Sequence, residues 1–249
     1  MQSILKAFCL PRSLPLLAGV ILLLVNGMPQ ALSAKTVERV GHAFDLESGE
    51  HLYDERQVRI YRDGKLHKVR VHYQKPNGET FATKVLDYSK HALMPDMTLF
   101  DKRTGHTEIV TLVNQECRVT FRRQSDGTTE SAAIAIPAAE VGIVDGGFEL
   151  FIQRHWDRLL AGETLKPEFL VPVRQAFVDF RVRLVETRRH NGRKLRVFRL
   201  EPGNMLVRLI ASGIQVTVND ATGALLSYEG ISNIRDMDGD NYLVRQSYE

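Results

Sequence analysis

Glycine recurs after Asn, Asp or Thr at the joints between alternating polar and apolar runs: KPNGE, RTGH, QSDGT, HNGR, DATGA and DMDGD. A short hairpin loop built on a type I turn needs a residue in the left-handed region, and Gly takes that place without steric cost. Each joint therefore reverses the chain and sets the run before it antiparallel to the run after it. Repeated along most of a chain, such joints leave little choice but a meander.

Register tests this reading, because a one-residue slip moves every side chain to the other face. A loop centred on Asn77 sets Tyr73 opposite Phe81 and Val69 opposite Val85. One centred on Asn191 sets Leu184 opposite Phe198 and Val182 opposite Leu200. With Ala221-Thr222-Gly223 as loop, Val218 faces Leu226 and Val216 faces Tyr228. With Met237-Asp238-Gly239 as loop, Ile234 faces Tyr242 and Ser232 faces Val244. The last two hairpins share one strand, and both put its even residues on the same apolar face. Strands are predicted near 37–47, 50–62, 65–75, 79–88, 97–102, 106–113, 115–124, 128–136, 168–174, 176–189, 193–201, 213–220, 224–235 and 241–248.

One segment has the helical period. GGFELFIQRHWDRLLAGE places Phe148, Phe151, Ile152, His155, Trp156, Leu159 and Leu160 on one stripe, with Gly162 as the stop. A second short helix is predicted near 203–211. An amphipathic helix beside a long meander buries its stripe against the apolar face of the sheet. The expected fold is mainly β: a curved antiparallel meander, or open half-barrel, with the helix 147–161 across its concave face. The facing ligand-contact residues are predicted as Phe148, Ile152 and Trp156 from the helix and Val216, Tyr228, Tyr242 and Val244 from the sheet.

Residues 1–34 do not belong to this pattern. Lys6 and Arg12 precede the apolar run LPLLAGVILLLV, and small residues follow at Ala31, Ser33 and Ala34. That order is the signature of a secretory signal peptide, and the run is short for a membrane span of roughly 20 residues. The expected organisation is a signal peptide, 1–34, followed by one domain, 35–249. Export to the periplasm of a Gram-negative-type envelope follows from it. The chain carries 33 Lys and Arg against 30 Asp and Glu. With Lys6 and Arg12 removed the balance is close to neutral, which argues against nucleic acid as a partner. Only Cys117 remains beyond the signal, so no internal disulfide is expected.

GHAFDLESGEHLYDE, DGGFELFIQRHWDRLLAGETLKPEFLVP and YEGISNIRDMDGDNYLV together resemble an uncharacterised family of exported bacterial proteins. The resemblance covers most of the chain after the signal and implies no catalytic residues. The architecture is also distantly similar to the half-barrel of periplasmic lipoprotein carriers, a likeness of architecture alone.

Chemistry is sparse. In DMDGDN, Asp236, Asp238 and Asp240 surround Gly239. A calcium loop wants Gly at its sixth position and Glu at its twelfth; counted from Asp236 these are Asn241 and Ser247, so the stretch reads as a turn. Cys117 alternates with Val113, Val119 and Phe121 on one strand face and reads as a small core residue. The histidines at 42, 51, 67, 72, 91, 106, 155 and 190 show no zinc-site spacing. No metal ligand and no cofactor are assigned. The hairpin 176–201 carries Arg181, Arg183, Arg188, Arg189, Arg193, Lys194, Arg196 and Arg199, a face suited to anionic lipid or an acidic protein.

The expected function is that of an exported, non-enzymatic protein binding a lipid-like apolar ligand or an envelope partner. Two other classes stay open: an enzyme with a site assembled from loops, and a structural envelope protein with a filled core. Export makes a direct prediction. Mass spectrometry of protein from its native cell is expected to show a start close to Ala34 or Lys35; an intact Met1 in the accumulated protein would contradict it.

Overall fold

The computed structural model describes residues 34–125, 127–137, 141–204 and 213–249. Residues 1–33 of the expected signal segment and residues 205–211 of the helix expected near 203–211 lie outside the described residues. Among the described residues fifteen strands form one sheet. The first half of the chain supplies β1 (Ala34–Asp45), β2 (His51–Arg62), β3 (Lys65–Gln74), β4 (Thr80–Asp87), β5 (Asp96–Asp101), β6 (His106–Val113), β7 (Glu116–Arg122) and β8 (Glu130–Ala135). Then come β9 (Gly142–Ile143), α1 (Gly147–Arg154), α2 (Trp156–Leu160), β10 (Glu168–Val171) and a 3₁₀ turn, Pro172–Arg174. The chain ends with β11 (Ala176–His190), β12 (Arg193–Pro202), β13 (Ile214–Asn219), β14 (Leu225–Arg235) and β15 (Asn241–Tyr248).

The sheet order is β8-β7-β6-β5-β4-β3-β2-β1-β15-β14-β13-β12-β11-β10-β9, antiparallel except for the β9–β10 pair. Two meanders, one from each end of the described chain, thus meet where β1 pairs with β15, Gly41 opposite Tyr248 and Asp45 opposite Val244. The sheet is open and strongly curled. β5 and β14 stand six places apart in the order, about 29 Å in a flat sheet at ~4.8 Å per strand. Yet Arg103, just after β5, donates from Nη2 to the Arg235 carbonyl at 2.6 Å. Gln175, beyond β10, likewise donates to Glu130 at the start of β8 at 2.9 Å.

The turns follow the glycines, and bulges adjust the registers. Around Asn191 the loop is two residues, with Asn191 and Gly192 both at positive φ. A bulge between Leu184 and Glu186 then brings back Leu184 opposite Phe198 and Val182 opposite Leu200, as the alternation predicts. The register around Asn77 departs from the expectation. Gln74 pairs with Thr80 as predicted, but Phe81 is an extra residue, so Tyr73 faces Ala82 and Val69 faces Leu86. Both Phe81 and Ala82 are buried in consequence, and Val85 turns outward. On β13, Val216 pairs with Tyr228, but a bulge sets Val218 opposite Leu225 rather than Leu226. β14 departs further: Ile231 pairs with Leu243 and Arg235 with Asn241, so Ser232 to Ile234 bow out and Val244 faces Gly230 instead of Ser232.

The acidic stretch is a turn. Asp236 Oδ1 accepts the backbone N–H of Asp238 at 3.0 Å and of Asp240 at 2.9 Å, and Gly239 sits in the left-handed region.

The predicted single helix is two, kinked at His155, though His155 N–H still donates to the Phe151 carbonyl and Leu159 N–H to the His155 carbonyl. Phe151, Ile152 and Leu159 are buried with Val182, Phe198, Leu200, Val216 and Val218 of β11–β13, so the helices cover that end of the concave face. Burial of each such side chain contributes about 1.5–3 kcal/mol. A second cluster, built on Tyr53, Tyr73, Phe81, Leu99 and Ile234, fills the other end and takes in fully buried Cys117. No helix among the described residues is long and apolar enough to cross a membrane.

The β1–β15 seam needs close approach at Gly41. A β-carbon there would lie 2.6 Å from Gln246 Nε2 and 2.7 Å from the Tyr248 ring. Gln246 is itself bonded to buried Glu55. Gly41→Ala is expected to push Gln246 off Glu55 and cost about 1–3 kcal/mol, the penalty of a buried polar group left unpaired. Urea unfolding measures it; an unchanged midpoint would mean the seam has slack.

Candidate functional site

Between α1 and the concave face lies a cavity of about 390 Å³. The tight turn Val144–Gly147 holds α1 over it. Asp145 takes positive φ, and a β-carbon on Gly147 would run into the Leu93 carbonyl, so the helix start docks directly on the loop 89–96. Leu93 and Met94 between β4 and β5, Ile143 of β9 and Val144 after it fill part of the concave space, and the cavity is what they leave.

Its walls differ in kind. Phe148 and Ile152 of α1, Phe169 of β10, Phe180 of β11, Leu200 of β12 and Val216 of β13 make an apolar wall. The opposite wall is polar, so the space is not the purely apolar cleft that the alternation predicts. Glu55, Gln57 and Arg59 point inward from β2 and are buried. Arg59 makes a two-point bond to Glu149 of α1, at 3.0 and 3.2 Å, and Arg39 reaches the same carboxylate at 3.4 Å. Lys84 Nζ donates to both Asp145 oxygens, at 3.0 and 3.1 Å. Asn233 also donates to Asp145, and only the bow in β14 allows it to reach. Gln246 and Gln57 donate to Glu55.

These pairs neutralise one another. Burial disfavours the charge on Lys84, but Asp145 and Glu55 outweigh it and hold its ionisation above the usual lysine value. Burial acts the same way on Arg59 and is outweighed by Glu149. Phenols are the groups left over. Tyr73, Tyr88 and Tyr248 line the cavity, and among the described residues their hydroxyls have no hydrogen-bond partner. Burial raises the ionisation of all three, so they are neutral donors and acceptors at any ordinary pH. Tyr53 is bonded to Ser232 and Tyr228 to the Ile231 carbonyl, and burial raises both.

Of the ligand-contact residues predicted from sequence, the structure brings Phe148, Ile152, Val216, Tyr228 and Val244 to the cavity. Trp156 packs edge-on against Phe198 at 5.6 Å instead, and Tyr242 tilts against Tyr53 at 6.3 Å. His155 lies on the Phe151 ring at 4.5 Å. The polar wall was missed: Glu55, Arg59, Lys84, Asp145 and Glu149 carry no local pattern. The Asp-Gly-Gly turn was the available signal, since such a triplet before a helix marks close backbone approach.

No histidine or cysteine lines the cavity among the described residues. Cys117 sits in the core, where burial pushes its thiol up to about 11. The basic hairpin is half matched by acids: Arg196 and Lys194 meet Asp220, Arg183 and Arg199 meet Glu201, and Arg188 meets Glu186. Among the described residues Arg189 and Arg193, near its tip, have no acidic partner. One group departs from the expectation of no metal ligands: His42, His51 and Asp54 gather their ligand atoms within 4.8 Å on the outer face.

No family model matches the chain, and no curated protein does. Among solved structures, the chain is similar to a beta-barrel-like protein of domain of unknown function DUF1849 from Brucella abortus. Identity is 7%, with 88% of this chain and 96% of that chain covered and a TM-score of 0.41.

The polar wall predicts an alkaline limit. A tyrosine whose folded-state ionisation lies above its ordinary 10.0 keeps its proton where the unfolded chain loses it. Stability is then full below pH 10 and is lost as pH rises above it. Lys84, raised above 10.5, acts with the same sign. Urea stability is expected to fall steadily above pH 10, with tyrosinate absorbance from Tyr53, Tyr73, Tyr88, Tyr228 and Tyr248 appearing only on unfolding. Full titration of native protein near pH 10 would contradict it.

Proposed function

We propose that this is an exported, non-enzymatic protein whose cavity binds an amphipathic, lipid-like small molecule. The observation that carries the reading is the division of one cavity into an apolar wall and a polar wall whose charged groups are bonded within the protein and whose tyrosine hydroxyls are neutral. Its volume of about 390 Å³ falls in the roughly 300–1,000 Å³ range of small-molecule sites. An acyl chain lies against Phe148, Ile152, Phe169 and Val216. An ester, hydroxyl or amide at its end meets Tyr73, Tyr88 and Tyr248. Because Lys84 and Arg59 are spent on Asp145 and Glu149, the polar end is recognised by hydrogen bonds rather than by net charge. A filled structural core would leave no such space. A hydrolytic site built on histidine or cysteine would want one of them on the wall, and among the described residues the cavity wall has neither. The order of residues 1–34 supports export to the periplasm, where such ligands are abundant, and Arg189 and Arg193 suit contact with anionic head groups.

The test is displacement of a fluorescent fatty acid by monoacylglycerol and by lysophospholipid. Saturable binding of one ligand per chain is expected. Tyr88→Phe, which removes a hydroxyl that bonds nothing in the protein, is expected to weaken the ester ligand by about 2- to 10-fold, one hydrogen bond's worth. Val85→Phe, on the exposed outer face, is expected to leave binding unchanged. Absence of saturable binding at every chain length would overturn the reading.

A further inference from the structure

We infer that His42, His51 and Asp54 form a binding site for one divalent transition-metal ion of the zinc class on the outer face of the sheet. The site is separate from the cavity. Tyr53, Glu55, Gln57 and Arg59 of β2 point into the cavity, so Asp54, between Tyr53 and Glu55, points to the opposite face.

Two backbone features bring the ligands together. First, the β1–β2 register sets His42 directly opposite Asp54. Second, the strand bulges at Leu52: Ala43 pairs with Tyr53, but Phe44 pairs with His51. Without the bulge, His51 would share the inner face of Tyr53. With it, the imidazole is turned to the outer face, the kind of re-aiming that bulges perform beside functional sites. His42 Nδ1 and His51 Nε2 lie 2.7 and 2.8 Å from the same atom, Asp54 Oδ1. His51 is held from its other side by the Phe44 ring at 5.1 Å.

The donor set identifies the ion. Two imidazole nitrogens and one carboxylate oxygen suit zinc, cobalt, nickel or ferrous iron, and leave further positions for water. Calcium and magnesium prefer oxygen alone. Donors around a tetrahedral ion with bonds of roughly 2.0–2.1 Å stand about 3.3 Å apart, so each histidine nitrogen needs to draw back from Asp54 Oδ1 by only about half an ångström. Side-chain exposures of 31%, 32% and 17% leave the ion an entry path. Among the described residues the remaining ring nitrogens, His42 Nε2 and His51 Nδ1, have no protein partner. Absence of that second layer of bonds costs about 10- to 100-fold in affinity, and a dissociation constant on the order of micromolar is expected.

The test uses tag-free protein and the metal alone. Calorimetry with Zn²⁺ is expected to give one ion per chain, and Co²⁺ to give the visible absorption of a low-symmetry site. His42→Ala, His51→Gln and Asp54→Asn are each expected to weaken Zn²⁺ at least tenfold while melting close to the parent protein. His72→Ala, an exposed histidine on β3, is expected to leave binding unchanged. No Zn²⁺ binding below about 100 µM, or binding that survives both His51→Gln and Asp54→Asn, would overturn the site. In the second case the ion is an adventitious one held by scattered histidines.

Discussion

Pairing of β1 with β15 is the constraint on which the rest of the sheet depends. Apart from the parallel β9–β10 contact, every other pairing joins strands that follow one another in the chain. The seam alone joins residues from the two ends, and it turns two separate meanders into one surface. It is built closely: Gly41 leaves no room for a side chain, and the Arg39 guanidinium lies over the Tyr248 ring at 4.4 Å. Non-local pairings of this kind reward the chain only after a long loop has been closed, so the seam is expected to form late in folding.

Seam and site are the same place. Arg39, Val244, Gln246 and Tyr248 belong to the two seam strands and line the cavity. Curling of the joined sheet then brings β2 and β4 across from β11–β13, with α1 between them. The polar wall is therefore a product of the seam, and loss of the seam would expose Glu55 and Arg59 to water. Buried ion pairs of this type recover at best part of what their desolvation costs. Here two pairings, Arg59 with Glu149 and Lys84 with Asp145, tie the sheet to the helix and to the turn before it, while Gln246 with Glu55 ties β15 to β2. They fix where α1 sits, and so the width of the cavity.

Bulges do the remaining work. The one at Phe81 buries two consecutive side chains, the bow at Ser232–Ile234 delivers Asn233 to Asp145, and the one at Leu52 turns His51 outward. The bulges at Phe81 and Leu52 each add one residue to one strand and the bow adds two to β14, and each changes which residues meet across the ladder. Alternation read from sequence assumes that no such residue is added, which is why Val69 opposite Val85 and Ser232 opposite Val244 were expected and do not occur.

What the sequence by itself determined is the meander: the strands, their turns at Asn191-Gly192 and Met237–Gly239, and the helical stripe of Phe151, Ile152 and Leu159. These are local, since a turn needs only its own glycine and a stripe only its own period. The faces of the strands were legible where one face is apolar, as in β12, but not in β2. There Val58 and Ile60 suggest an inward face, while Glu55, Gln57 and Arg59 are the residues that are buried. Only tertiary structure decided that, because the partners that make burial of those charges tolerable, Glu149 and Gln246, come from α1 and β15. The kink at His155, the cavity and the meeting of His42, His51 and Asp54 were settled at the same level: each depends on how separate strands are offset and curled, and a bulge or a seam leaves no local pattern in the residues that form it.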